Sequence, residues 1–404
     1  MAKVLYVTLT GIGEAIGRSQ VLEYLIDLSK ENKIFLLSFE RNNDLNQIQD
    51  LQLIMDKYNI EWSYLSYSNK FGILSSISQI IRAVFLSIKI SKLNQISIIH
   101  ARSMIPALIA KITILFHKSK LLFDIRGFTA SEFVDRNRVK ESSLLYKILL
   151  KLDIFLYKTS DFIVALTFAS KEILHKKYNI SKKRIEVIPT CANKKKFYKI
   201  STHEIEKYKK EFGFNKNDKI IVHSGTVSGW YLFEEEIILM KLLMEKDERI
   251  KFLILNRGEH KYIRNLLKEK GINEDRYHLT YSKFEDVNKY LNISSAAIYF
   301  IIPSYSKKAA APTKFAEIVA CHLPSIINKG VGDMDMYLSK YNVGYSVDEH
   351  NITSYDIDNI LTMIENKEII NKDYDSLFST YFDKDIAVQQ YNNIYLMLKE
   401  ERSL

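Results

Sequence analysis

Between Ser304 and Pro324 the chain reads Ser-Tyr-Ser-Lys-Lys-Ala-Ala-Ala-Pro-Thr-Lys-Phe-Ala-Glu-Ile-Val-Ala-Cys-His-Leu-Pro. The apolar run Ala296–Ile302 before it predicts a buried parallel strand, and Pro312-Thr313 open a helix that closes before Pro324. A strand that feeds a helix through a small-residue loop leaves backbone N–H groups and the positive helix end available to a phosphate. Lys314 adds a full positive charge in the first turn. Glu317, three residues on, shares that rim and offers two acceptors to the hydroxyls of a ribose or sugar. Cation, N–H cradle and hydroxyl acceptor lie within the six residues Pro312–Glu317, and together they predict a nucleotide-sugar site.

Other loops carry weaker versions of the same chemistry. Asp124-Ile125-Arg126-Gly127 ends a buried run, where doubly wound folds place ligands. Arg126 stays charged at every physiological pH and can grip a phosphate with two parallel N–H bonds. Asp124, Arg102 and His100 could equally line a cleft or sit at the core edge. In Ser224–Tyr231, Gly225 and Gly229 let backbone approach a ligand closely, beside Thr226. Trp230 and Tyr231 could stack on a base or cap the following helix, and Arg257 offers a further cation. Thr10–Gly17 imitates a dinucleotide fingerprint, and Glu40 ends the second strand where a ribose-binding acid would stand. Its glycine spacing fits neither common version. Tyr178-x-x-x-Lys182, the pair a reductase would use, reads as an exposed helix end. The loop containing Gly13 and Gly17 is therefore expected to face a cleft and help bind acceptor or diphosphate. Asp333-Met334-Asp335 matches a metal clamp used elsewhere, yet it opens a helix, where acids are favoured electrostatically.

The elements that must position these residues alternate short apolar runs with longer amphipathic stretches, the pattern of βα units and parallel sheets. Strands are predicted near 3–8, 33–39, 96–100, 120–124, 161–167 and 184–188. The series restarts at 219–224, followed by 251–256, 277–281, 296–302, 325–328 and 343–347. A chain of 404 residues exceeds one typical core, and the restart predicts two doubly wound domains, 1–200 and 201–382, with a terminal helix from 383 to 404. Hydrophobic residues at 47% and charged residues at 26% exclude a disordered chain. Two distant cysteines, Cys191 and Cys321, argue for a reducing compartment and no disulfide framework. The N-terminus enters a strand directly and no long apolar run follows, so the expected location is cytoplasmic. The 58 Lys+Arg against 48 Asp+Glu give +10, which favours a polyanionic partner: nucleic acid, anionic membrane or phosphorylated substrate. In Phe71–Leu93, Ile77, Ile80, Ile81, Val84, Phe85 and Ile88 form one helical face, bordered by Lys70, Arg82, Lys89 and Lys92. Leu144–Leu156 repeats the theme with Leu145, Ile148, Leu149 and Leu152 beside Lys147 and Lys151. Such stripes suit either a core or an anionic lipid surface.

Pro-Thr-Lys-x-x-Glu at 312–317, Ala-Cys-x-Leu-Pro at 320–324 and Gly330-Val331-Gly332-Asp333 resemble the donor-site signature of family 4 glycosyltransferases of the GT-B fold, nearest the bacterial surface-polysaccharide branch. Gly17–Leu22, His100–Ser103, Phe123–Phe128, Val187-Ile188-Pro189 and Ser224–Tyr231 resemble further loops of that family, in the family's order. The resemblance implies an α/β GT-B architecture, with two Rossmann-like domains facing a cleft and the terminal helix packing on the first. It implies a retaining sugar transferase that needs no metal or other cofactor. Its partners would be a nucleotide-sugar donor and a lipid-linked or oligosaccharide acceptor, with no nucleic acid; the two basic amphipathic stretches are what suggest an anionic membrane surface, on the inner face of the plasma membrane. Residue by residue, it assigns Lys314 to the diphosphate and Glu317 to the ribose; many family members have a histidine near Arg126 that contacts the donor sugar or its phosphate, and Arg126 is expected to bind the leaving phosphate there. Pro312, Thr313, Gly225, Thr226 and Arg257 join the donor site. Gly13, Gly17, His100, Arg102 and Asp124 line the acceptor side. Two departures stand out. The family's sugar-gripping Glu, eight residues before Glu317, is Ala309 here, with Ser306, Lys307 and Lys308 nearby. The Arg and Lys common in the 224–231 loop are replaced by Thr226 and Trp230. These departures keep open a noncatalytic donor-binding or scaffold protein of a glycan-assembly complex.

Overall fold

A computed structural model describes residues 1–41, 45–67, 73–366 and 371–403. Lys70 and Phe71 of the first amphipathic stretch lie outside the described residues. The chain divides into two compact units, Met1–Pro189 with the segment from Asp385 onward, and Thr190–Lys384. The first unit holds β1 (Lys3–Thr8), β2 (Lys33–Glu40), β3 (Glu61–Ser66), β4 (Ile98–Arg102), β5 (Lys120–Asp124), β6 (Phe162–Ala165) and β7 (Ile185–Val187). They form one parallel sheet in the order β3-β2-β1-β4-β5-β6-β7. The second unit holds β8 (Lys219–Ser224), β9 (Ile250–Leu255), β10 (Tyr277–Thr280), β11 (Ala296–Tyr299), β12 (Ser325–Asn328) and β13 (Gly344–Val347). Their order, again all parallel, is β10-β9-β8-β11-β12-β13. Both units are Rossmann-like, and the architecture is GT-B.

Helices cover both faces of each sheet, so central strands bury nearly every residue and read as unbroken apolar runs. That is why β1, β5, β8 and β12 lie where the sequence predicts them. The edge strand β3 was not predicted, because only Leu65 is buried in it and no apolar run marks it. In each unit the strand order reverses beside its first strand, between β1 and β4 and between β8 and β11. At this switch point doubly wound sheets open a crevice beyond the strands' carboxyl ends. The candidate loops leave β1, β4, β5, β8, β9 and β11 at those ends.

Two boundaries move from their expected places at 200/201 and 382/383. Thr190–Ile200 joins the second unit because Ala192 and Phe197 enter its core. Asn288 and Asn292 also accept the N–H groups of Tyr198 (3.0 Å) and Ile200 (2.9 Å). The helix Lys384–Ser403 belongs almost wholly to the first unit, where it buries Tyr391, Ile394, Tyr395 and Leu398. There Asn392 accepts a hydrogen bond from Asn32 at 2.8 Å. Cys191 and Cys321 are both buried free thiols. No helix among the described residues is long and apolar enough to cross a membrane.

Candidate functional site

In the second unit the helix Thr313–Ala320 turns Phe315, Ala316, Ile318 and Val319 into the core. Thr313, Lys314 and Glu317 therefore share the opposite, partly exposed face. Pro312 is the N-cap and supplies no side-chain acceptor to the first turn. The Lys314 ammonium lies 4.1 Å from the centre of the Tyr231 ring and 5.3 Å from that of Tyr299. Its Nζ is buried without a hydrogen-bond partner. Ring faces attract a cation but leave its N–H donors unmatched, a costly state that an incoming anion would relieve. Gly225, at φ +111°, passes so close that a Cβ there would sit 3.5 Å from Nζ. Glu317 completes the group. Burial pushes its carboxyl up to about 7, against the pull of Lys314.

The β8 loop is held from behind by residues that sequence reading missed. Glu259 accepts from the Thr226 hydroxyl at 2.7 Å, from the Val227 N–H at 3.0 Å and from Asn256 at 2.8 Å. Desolvation alone would raise its carboxyl, but hydrogen bonds from Ser228, Asn256, Thr226 and Val227 hold it at about 2. The Thr226 side chain, expected to touch donor, is thus engaged within the loop. Deeper still, fully buried His223 and Glu236 meet at 2.7 Å. The other ring nitrogen of His223 lies 3.2 Å from the Thr226 carbonyl oxygen, and Glu236 accepts the Phe300 N–H at 2.9 Å. One signal was available: a histidine inside an apolar strand, thirteen residues before an acid in an apolar helix, needs a buried partner.

The aromatic pair after that loop stacks on protein cations. Trp230 carries the Lys307 ammonium at 3.6 Å from its ring centre, as Tyr231 carries Lys314. The Trp230 carbonyl also accepts the Ile302 N–H at 2.9 Å, and Tyr231 bridges to Ile301. That edge pairing ends β11 at Tyr299, short of the predicted Ile302. Ala309, Ser306 and Lys307 are buried, while Lys308 is exposed. Arg257 is exposed in the turn after β9. Asp333 is the N-cap of the helix Met334–Lys340, and Asp335 accepts the Gly330 N–H at 2.9 Å. Among the described residues, no group of three or more His, Cys, Asp or Glu is placed to hold a metal.

The first unit gathers the other candidates at the ends of β4 and β5, where Arg102 pairs in register with Asp124. Asp124, fully buried, accepts from Arg126 Nη2 at 2.7 Å. Burial would raise its carboxyl, but Arg126, His100 and Arg102 hold it below the ordinary range. Burial works the other way on Arg126, and Asp124 more than offsets it, keeping the guanidinium charged. His100 corrects an expectation. Rather than lining a cleft it is 1% exposed, packed against Tyr6 and Tyr391, with Nδ1 2.7 Å from the Tyr395 hydroxyl. Desolvation lowers its pKa. Its Nε2 lies 3.5 Å from Asp124. Asp124 thus holds Arg126, and both Asp124 and His100 are buried. Arg102 and Arg126 remain partly exposed, and Arg102 donates to the Thr10 hydroxyl at 3.2 Å.

The glycine loop is also corrected. Glu40 accepts the N–H groups of Ile12 (2.9 Å) and Gly13 (3.2 Å), so the acid that would have held a ribose closes the loop instead. Gly17 is buried, and a Cβ there would lie 1.9 Å from the Gly11 carbonyl oxygen. It packs against the backbone of its own loop. Tyr178 is buried and Lys182 pairs with Glu172, which removes the reductase pair.

Comparison with known proteins agrees with this geometry. Residues 40–196 match the family described as Glycosyltransferase Family 4, and residues 204–374 match Glycosyl transferases group 1. The chain is an enzyme, a glycosyltransferase of the GT-B type, which sets the noncatalytic reading aside. No curated protein matches it in sequence. Among solved structures it is similar to Anabaena HepE in complex with UDP and glucose, at 15% identity over 98% of this chain and 99% of that one, with a TM-score of 0.69. A glycosyltransferase from Rickettsia africae shares 16% identity over 98% of each chain, with a TM-score of 0.71. Sucrose-phosphate synthase from Thermosynechococcus elongatus shares 14% over 98% of this chain and 99% of its own, at 0.70.

Proposed function

We propose that this enzyme transfers a hexose, with retention of anomeric configuration, from a nucleoside-diphosphate sugar to a surface-polysaccharide acceptor carried on lipid. The second unit binds the donor, and the first unit presents the acceptor at the inner face of the plasma membrane. The observation that supports this most directly is the buried, unpartnered Lys314 ammonium at a helix N-terminus, three residues before Glu317. A diphosphate would satisfy that cation together with the first-turn N–H groups. Ionised Glu317 would accept the ribose hydroxyls.

In the reaction the bond from the anomeric carbon to the diphosphate oxygen breaks, and a bond to the acceptor hydroxyl oxygen forms on the same face. The hydroxyl proton passes to the departing phosphate. Charge grows on that oxygen in the transition state, where Lys314 and the helix end stabilise it. Pro312 and Thr313 set the entry of the helix, and Gly225 keeps the loop backbone close. With Ala309 in place of the family's acid, the transferred sugar is held without a carboxylate at that position. Arg257, exposed in the turn after β9, is a further cation that would approach the donor from solvent.

UDP-glucose is the first donor to assay, since the Anabaena structure holds UDP and glucose. Lys314→Ala should keep the fold and lower UDP release with acceptor by about a hundred- to a thousandfold, the size of effect seen when one preorganised transition-state donor is removed. Near-normal turnover in Lys314→Ala and in Glu317→Ala, with any active donor, would sink this site.

A further inference from the structure

Two helices of the first unit turn large apolar side chains outward. In Ile73–Asn94 the buried residues are mostly small or polar: Gln79, Ala83, Ser87 and Ser91, with Ile90. Ser87 accepts from the Thr113 hydroxyl at 2.9 Å, in the neighbouring helix Met104–Ile114. Three large apolar residues point the other way: Ile77, Ile81 and Phe85, one turn apart, are 49%, 50% and 70% exposed. The helix Leu144–Thr159 behaves alike. Its inward face carries Leu156, Tyr157 and Asp153, whose carboxylate accepts the Ala130 N–H at 3.0 Å, while Leu145, Ile148 and Phe155 are exposed. Between the two, Met104–Ile114 packs against both, and Lys111 donates to the Thr159 carbonyl at 2.8 Å. The helix ends in the exposed Leu115 and Phe116. All three helices belong to one layer, so their outward residues form one surface.

Charge identifies what covers it. Arg82, Lys89 and Lys92 are exposed among the apolar residues of the first helix, and Lys147, Lys151 and Lys158 among those of the second. Ile73–Asn94 contains no acid, and the one acid of Leu144–Thr159 is buried Asp153. A protein partner would ordinarily be met by mixed charges. Apolar side chains set in an all-basic rim match the boundary of an anionic bilayer, where acyl chains take the apolar groups and headgroups the ammonium ions.

We propose that the outward face of these three helices is a docking surface for anionic phospholipid, holding the first unit against the membrane. This deepens the membrane part of the reading above. Vesicle binding needs no donor, so its failure would leave the transfer chemistry standing.

The test is flotation of the full chain with phosphatidylcholine vesicles, with and without phosphatidylglycerol. Wild-type protein should float with the anionic vesicles, bind neutral ones weakly, and dissociate as salt rises. Phe85→Ser with Ile148→Ser should lower partitioning at least about tenfold, because two partly inserted apolar side chains are lost. Lys147→Gln with Lys151→Gln should lower it on the order of thirtyfold on anionic vesicles only, at about 1 kcal/mol per charge. The substituted groups already face water, so melting should stay unchanged and a folding defect would be visible. Absence of wild-type flotation overturns the proposal. So does an equal response of both vesicle types to the lysine changes, or a dimer that Phe85→Ser dissociates while vesicle binding persists.

Discussion

Replacing Glu317 with glutamine keeps the size of the side chain and one acceptor oxygen while removing a charge that the fold resists. Burial raises the folded carboxyl from 4.5 to about 7, with Lys314 opposing. Between those values the folded protein retains a proton that the unfolded chain has released. Wild-type stability therefore falls as pH rises through this window, by about 1.4 kcal/mol per pH unit and about 3 kcal/mol in all. Below the window both states are protonated and the deficit vanishes; above it the deficit is constant. Glutamine carries no such deficit. The stability of Glu317→Gln minus that of wild type should thus widen by about 3 kcal/mol between about pH 4 and pH 8.5. Urea unfolding at a series of pH values reads this as a diverging midpoint at unchanged slope. For a unit of this size the gap corresponds to roughly 6–12 °C in melting temperature. The same variant should bind UDP about ten- to a hundredfold more weakly above neutral pH, having lost charge-assisted hydrogen bonds to the ribose. A variant that is steadier yet poorer at binding would mark a carboxylate kept for function at a cost to stability. A stability gap that stays flat with pH would refute the desolvation argument. Unaltered UDP affinity would refute the ribose role.

Two further outcomes follow from the first unit. Asp124→Asn leaves the Arg126 guanidinium without the carboxylate 2.7 Å away, and breaking so buried a pair should destabilise the protein by about 3–5 kcal/mol. A loss under about 1 kcal/mol in urea unfolding would show that Arg126 finds another partner. Gly17→Ala drives a methyl group to 1.9 Å from the Gly11 carbonyl oxygen, and backbone cannot step aside as a side chain can. A cost of at least about 1–3 kcal/mol is expected, and a melting temperature equal to wild type would contradict the close packing of this loop.

Much of the fold was legible because strands buried on both faces must be apolar throughout. β1, β5, β8 and β12 stand where their runs predict, while edge strand β3, half in water, carries no such run. The helix bearing Lys314 and Glu317 was legible too, since its capping and spacing are local properties of a few residues. Tertiary structure alone decided the partners. Glu40 proved to close the glycine loop, and Glu259 to knit the β8 loop, because carboxylates take whichever N–H donors the fold brings near. It alone buried His100 beneath a helix nearly three hundred residues away. It also decided which way the stripes on Ile73–Asn94 and Leu144–Thr159 point. Periodicity specifies that a helix has an apolar face; only packing determines whether that face meets the core or the surroundings.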